Sequence, residues 1–250
     1  MSDTQFFFNQ EITSFDGTVF EFFHGIAEGA GGFFTPFAKI ISLLGSKGIV
    51  FFLLSIVFML FARTRKGGVC MFGALVIGAL IAGVILKNAV ARVRPYDASE
   101  VLHGYWEYVG GAESDSFCFP SGHTTMITAA AVALFIFFGK KWSWTGFLGV
   151  LLMGFSRIYL IAHYFSDVVG GVAVGAFSAV VAYFITVLIW KLLEKNKEKK
   201  FFAFCLDFDV KTVFHKKSGD TVAVENVAEN PAESVAESDV QKDEKKDSDE

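Results

Sequence analysis

Apolar residues fill most of the chain between Phe20 and Trp190, in long blocks separated by short polar interruptions. The windows Lys47–Ala62, Gly68–Leu86, His123–Phe138, Trp142–Ala162 and Val168–Trp190 each meet or approach the roughly 20 apolar residues that a helix needs to cross a bilayer core, and so predict five spans. The stretch Phe20–Leu44 is broken by Glu21, Glu28, Gly29-Ala30-Gly31-Gly32, Pro36 and Lys39. It predicts either an amphipathic surface helix followed by a short sixth span, or two interfacial helices. Glycine and alanine crowd the second and fifth windows (GALVIGALIAGV, GGVAVGAFSAVVA). Small residues let membrane helices approach closely, so the spans are expected to pack together. The expected fold class is all-α: a polytopic membrane bundle of about six helices. Its expected divisions are an N-terminal amphipathic segment over 1–29, a membrane domain over 30–193 and a basic-then-acidic tail over 194–250.

Composition sharpens this picture. With 53% hydrophobic residues and a mean hydropathy of +0.47, one membrane domain is a better expectation than a water-soluble core. The formal net charge of −4 says little about the folded part, because the acidic excess sits in the tail. Gly219–Glu250 contains no aromatic residue and is expected to be disordered, since it has too little apolar surface to offset chain entropy. Cys70, Cys118 and Cys205 show no metal-site or disulfide spacing and are read as structural thiols, Cys118 alone lying near candidate chemistry. The first residues lack the basic start and unbroken apolar run of a secretory signal, so the spans themselves are expected to direct insertion. The partners expected are membrane lipids; no nucleic acid is expected.

Loop charges orient the bundle. Arg63, Arg65 and Lys66, then Lys140 and Lys141, then Lys191, Lys195, Lys197, Lys199 and Lys200 follow alternate spans. The positive-inside rule places all three clusters, and the C-terminal tail, in the cytoplasm. The opposite side then receives the segment near Lys87, the long stretch Tyr96–Pro120 and the connection Ser156–Asp167.

The unusual polar residues collect there, in three segments. Lys87 and Arg94 are seven residues apart, so both project from one helical face if the helix continues, and Pro95 ends it. Taken alone this is an ordinary basic helix end, although its place on the outer side runs against the charge bias. In Pro120-Ser121-Gly122-His123, Ser121 can cap the following helix, Gly122 lets an anion approach the backbone, and His123 stands at the mouth able to donate a proton. In Ser156-Arg157 through His163 to Asp167, the last two are four apart and share a face if helical, so the carboxylate can hold the imidazole and free its other nitrogen to attack. Arg157 reaches the same anion only if a bend or loop intervenes. Ionisable groups at membrane depth are costly, and together these three cations, two histidines, a carboxylate and a helix N-terminus suit a phosphoryl group.

The three segments resemble the signature of the type 2 phosphatidic-acid phosphatase (PAP2) family, related to the vanadium haloperoxidases. Its pattern of K-x6-R-P, then P-S-G-H, then S-R-x5-H-x3-D is matched at every fixed position. The resemblance implies a six-helix membrane bundle in which Lys87, Arg94, Arg157, Ser121 and the Gly122 backbone bind phosphate oxygens. It also implies that His163 attacks phosphorus to give a phosphohistidine, that Asp167 orients it, and that His123 protonates the leaving oxygen and then activates water. No cofactor and no metal are expected, because positioned cations take the charge-stabilising role. The implied activity is hydrolysis of a lipid phosphate or pyrophosphate on the outer face of a bacterial cytoplasmic membrane. The substrates considered are phosphatidic acid, phosphatidylglycerol phosphate, undecaprenyl pyrophosphate and lipid A. Two alternatives are a vanadate-dependent haloperoxidase and a non-catalytic headgroup binder or transporter. The aromatics His103, Tyr105, Trp106 and Tyr108 are expected at the membrane interface or in a headgroup pocket.

Overall fold

A computed structural model describes residues 14–45, 48–139 and 143–210, apart from the side chains of Cys205 and Asp207. Met1–Leu206 forms one compact unit, and Asp207–Glu250 is a second. The expectations for Lys140 and Lys141 and for the acidic segment Gly219–Glu250 lie outside the described residues.

Eight helices longer than a single turn occur among them, rather than about six: α1 Ser14–Leu44, α2 Ile49–Leu60, α3 from Arg65 to Val90, α4 Glu100–Tyr108, α5 Gly122–Phe138, α6 Thr145–Tyr159, α7 Phe165–Lys195 and α8 Lys200–Asp207, with one further helical turn at Pro95–Ala98. The two additional helices, α4 and α8, are short and lie outside the predicted apolar windows. Ala30, between glycines, leaves helical geometry (φ −144°, ψ 24°) and breaks α1 into two halves. α2 is only 12 residues long, shorter than its window. Gly48 enters it in the left-handed conformation (φ 67°), and Phe61 leaves it extended (φ −106°, ψ 130°).

Among the described residues, two stretches are long and apolar enough to cross a membrane, Arg65–Ala98, which includes α3, and α7, or three if α1 and α2 form one bent span. α5 and α6 are apolar but shorter, at 17 and 15 residues, about 25 and 22 Å at 1.5 Å per residue. The exterior is nevertheless apolar: Val84, Phe184, Leu188 and Leu192 are all more than half exposed. Apolar exposure on long apolar helices suits lipid rather than water, and the chain is a membrane protein.

Small residues set the packing. Cys70, Met71, Ala74 and Leu75 of α3, Met126, Ala129, Ala130 and Ala133 of α5, and Ala179 and Ala182 of α7 form one buried cluster. α7 approaches α5 so closely that a Cβ on Gly171 would lie 2.7 Å from the Ser121 carbonyl oxygen, and one on Gly175 would lie 2.5 Å from that of Thr125. A second cluster joins Phe20 of α1, Leu102 of α4, Ile158 of α6 and Val168 of α7 around Cys118, Ile161 and Tyr164. These contacts bring the end of α3, the start of α5 and the α6–α7 connection together. At the other end, Arg65 donates from Nη1 to the Leu206 carbonyl of α8 (2.8 Å).

Candidate active site

α3 does not reach Arg94 as a continuous helix. From Ala79 to Leu86 it widens into π-helical turns, with the Lys87 N–H donating to the Ala82 carbonyl. It ends at Val90, and Ala91 takes a left-handed conformation (φ 48°). A non-glycine residue there costs about 1–2 kcal/mol. Lys87 and Arg94 therefore meet through this reversal and the loop opposite it, not through a seven-residue helical repeat. Ser116 bridges them: its Oγ accepts from Lys87 Nζ (2.8 Å), and its carbonyl accepts from Arg94 Nε (2.8 Å). Arg94 also donates to the Ala162 carbonyl (3.0 Å) and to Ser114 Oγ (3.0 Å), which fixes its plane. The motif reasoning missed both serines, since nothing in their spacing marks them.

The second segment begins α5. Ser121 is its N-cap, with Oγ accepting from the Thr124 N–H and hydroxyl. This occupies the Ser121 side chain behind the backbone, fully buried, while Gly122 and His123 line a cavity of about 740 Å³. Ser121 does not line it, so its structural part is to shape the helix N-terminus.

The third segment turns between α6 and α7. α6 stops at Tyr159, Ile161 is left-handed (φ 52°), and α7 starts at Phe165. A β-branched residue rarely adopts that φ. The turn is the break that the sequence required if Arg157 and His163 were to face one anion, and both line the cavity. Arg157 Nη1 donates to Ser42 Oγ of α1, whereas its buried Nε has no partner among the described residues. His163 and Asp167 do not share a helical face, because His163 precedes α7. Asp167 sits in the first turn of α7, where Oδ2 accepts from the Tyr164 N–H (2.9 Å) and lies 3.4 Å from His163 Nδ1. With Nδ1 turned to the carboxylate, Nε2 is the ring nitrogen on the side away from it.

Burial, together with the Arg157 charge, pushes His163 below its ordinary pKa to about 3, against the opposing effect of Asp167, so the imidazole is neutral near pH 7. Cys118, the thiol nearest the chemistry, lies 3.4 Å from His163 Nδ1 and donates to Asp167 Oδ2. Burial and the Asp167 charge hold it well above the ordinary thiol range, so it is an uncharged hydrogen-bond donor. Ligand atoms of Cys118, His163 and Asp167 lie within 4.8 Å of one another, a spacing that could hold a metal ion. The set suits a cation poorly, because the Arg92 guanidinium already lies 2.6 Å from Asp167 Oδ1 and the thiol keeps its proton.

Lys87, Arg94, Gly122, His123, Arg157 and His163 thus surround one cavity, with Asp167 and Ser121 behind them. Lys39 of α1 adds a fourth cation at the cavity wall. Leu43, Ala79, Ala82, Gly83 and Met126 make its other side apolar. Of His103, Tyr105, Trp106 and Tyr108, none lines the cavity, and Tyr105 stacks on His24 of α1 (ring centroids 3.7 Å apart).

The chain is 29% identical over 119 residues to an undecaprenyl-diphosphatase of Sulfolobus acidocaldarius, covering 47% of this chain and 54% of that protein. It is 32% identical over 123 residues to a lipid A 4'-phosphatase of Porphyromonas gingivalis, covering 47% and 52%. It therefore spans about half the length of the curated relatives it matches. The crystal structure of a transmembrane PAP2-type phosphatidylglycerolphosphate phosphatase from Bacillus subtilis shares the fold, with a TM-score of 0.51 at 22% identity over 75% of this chain and 88% of that one. The PAP2 superfamily model matches residues 67–192, which contain all three cavity-forming segments. The chain belongs to the PAP2 superfamily.

Proposed function

We propose that this protein hydrolyses a lipid phosphate or diphosphate through a phosphohistidine on His163. The observation that carries the reading is the cavity itself: Lys87, Arg94, Arg157, His123 and His163 line one volume together with the apolar Leu43, Ala79, Ala82 and Met126. Such a site accepts a charged headgroup and its hydrocarbon chain together. His163 Nε2 forms a bond to phosphorus as the bond to the lipid oxygen breaks, and that oxygen takes a proton from His123. Water then attacks phosphorus and returns a proton to His123; the N–P bond breaks, and inorganic phosphate leaves with His163 regenerated. The three cations and the α5 N-terminus stabilise charge on the transferring group. They supply what metal ions supply in many phosphoryl-transfer enzymes, so EDTA leaves the activity intact.

The curated relatives act on undecaprenyl diphosphate and lipid A by name, and those substrates, with phosphatidic acid and phosphatidylglycerol phosphate, set the panel to test. The site faces the outside of the cytoplasmic membrane. The α2–α3 turn with Arg63, Arg65 and Lys66, and the end of α7 with Lys191 and Lys195, lie at the helix ends opposite the site, as the positive-inside rule requires. Phosphate release by purified protein across the four lipids tests the proposal, with His163→Ala as control. Absence of release from all four, or a His163→Ala variant that keeps substantial turnover, would refute it.

A further inference from the structure

Asp167 is completely buried, and its ionic partner is not the histidine it faces. Arg92, outside the fixed positions of the three motifs, places Nη1 2.6 Å from Asp167 Oδ1 and 2.7 Å from Ser166 Oγ. Its guanidinium carbon lies over the Tyr164 ring, 3.8 Å from the centroid. The Arg92 carbonyl accepts from the Cys118 N–H (2.9 Å). One residue thus touches the first turn of α7 through Tyr164, Ser166 and Asp167, and the loop leading to α5 through Cys118. The Asp167 carboxylate is divided between its two oxygens: Oδ1 meets Arg92, while Oδ2 meets the Tyr164 N–H, Cys118 and His163.

We infer that Arg92 is a positioning residue for phosphoryl transfer, holding Asp167 charged and rotated so that Oδ2 keeps the His163 proton on Nδ1 and the lone pair on Nε2. The inference rests on the phosphohistidine reading above. A buried carboxylate needs a cation or it is neutralised, and a neutral His163 is not that cation. A carboxyl group that takes up a proton no longer directs the imidazole N–H, and the ring can then present the wrong nitrogen. Arg92 also serves the step that follows: as Nε2 bonds to phosphorus the imidazole becomes cationic, and an Asp167 already ionised is in place to stabilise it without reorganisation. Arg92 is one residue past the left-handed Ala91, so the same chain reversal that brings Arg94 to the cavity aims Arg92 behind it.

A double-mutant cycle tests this. Arg92→Met should lower kcat on the order of 100-fold or more, the scale of general acid–base positioning, with KM changed little because no phosphate contact is lost. In an Asp167→Asn background the same change should cost at most a few-fold, since the group through which Arg92 acts is gone. Arg92→Lys, which can still present a cation to Oδ1 and Ser166, should recover a large part of the loss. Additive losses in the two backgrounds, a rise in KM at unchanged kcat, or equal loss in the Lys and Met variants would each overturn the inference. A wild-type protein that releases no phosphate from any lipid would instead overturn the functional reading beneath it.

Discussion

Gly171→Ala should slow turnover through helix packing alone, without replacing any side chain of the site. Gly171 is one turn beyond Asp167 on α7, and a Cβ placed there falls 2.7 Å from the Ser121 carbonyl oxygen and 3.0 Å from Thr124 Cβ. The first distance is 0.7 Å short of the 3.4 Å at which ordinary contact begins, and the obstructing atom is backbone, which cannot swing away as a side-chain tip can. α5 and α7 must therefore separate by about half an ångström or more at this level. The Ser121 N–H to Asp167 carbonyl hydrogen bond (3.0 Å) stands at the same junction. Separation thus moves Gly122 and His123 away from His163 and Asp167, opposite partners in the proposed transfer. A misplacement approaching 1 Å costs up to about 100-fold in rate, so a 10- to 100-fold fall in kcat is expected, with overpacking costing about 1–3 kcal/mol of stability. Gly175→Ala is the control: its Cβ meets Thr125 O at 2.5 Å, but one turn farther from the site, so it should destabilise comparably and slow turnover less. Phosphate release and thermal melting of detergent-solubilised protein read both effects. Gly171→Ala turnover within two-fold of wild type, or equal kinetic losses in the two variants, would show that the helix contact does not set the catalytic geometry.

Three further outcomes follow from particular residues. Ala91→Gly relieves the left-handed φ of 48° at some cost in unfolded-state entropy; a net gain of about 0.5 kcal/mol should appear as a thermal midpoint 1–2 °C higher, roughly. His163 binds its proton less readily folded than unfolded, so the unfolded chain gains protons first as pH falls, and stability drops from near pH 6.5 down toward pH 3. Melting curves should show a shallower loss over that window in His163→Gln, and an unchanged slope would contradict a neutral buried imidazole. Lys39→Gln removes a rim cation of the cavity and should raise KM about three-fold or more at nearly constant kcat, as measured in initial-rate kinetics.

Lys87, Arg94 and Arg157 of the cavity's cations, and its two histidines, are legible in the sequence because each is expensive in a membrane bundle and one phosphoryl group would account for all five at once. Helix period was the wrong guide to how they meet. A seven-residue spacing suggested one face for Lys87 and Arg94, yet the chain reverses at Ala91 after π-helical turns whose widening no hydrophobic pattern encodes. A four-residue spacing suggested one face for His163 and Asp167, yet the contact comes from Asp167 reaching back over the α7 N-terminus to Tyr164 and His163. Period-based reasoning fails at element ends, where left-handed residues and caps replace regular geometry, and this site consists of element ends.

The groups absent from that reading share a second cause. Ser114 and Ser116 are unremarkable loop serines until Arg94 and Lys87 fold onto them. Lys39 looked like a mere interruption of an apolar stretch until α1 brought it to the cavity wall. Arg92 did carry a usable signal, being a third cation within eight residues of Lys87 on the side of the bundle where basic residues are unexpected. The motif absorbs only two of those cations. A charge beside a matched motif but outside its fixed positions needs a buried counter-charge, and here the one fully buried carboxylate of the third segment, Asp167, supplies it.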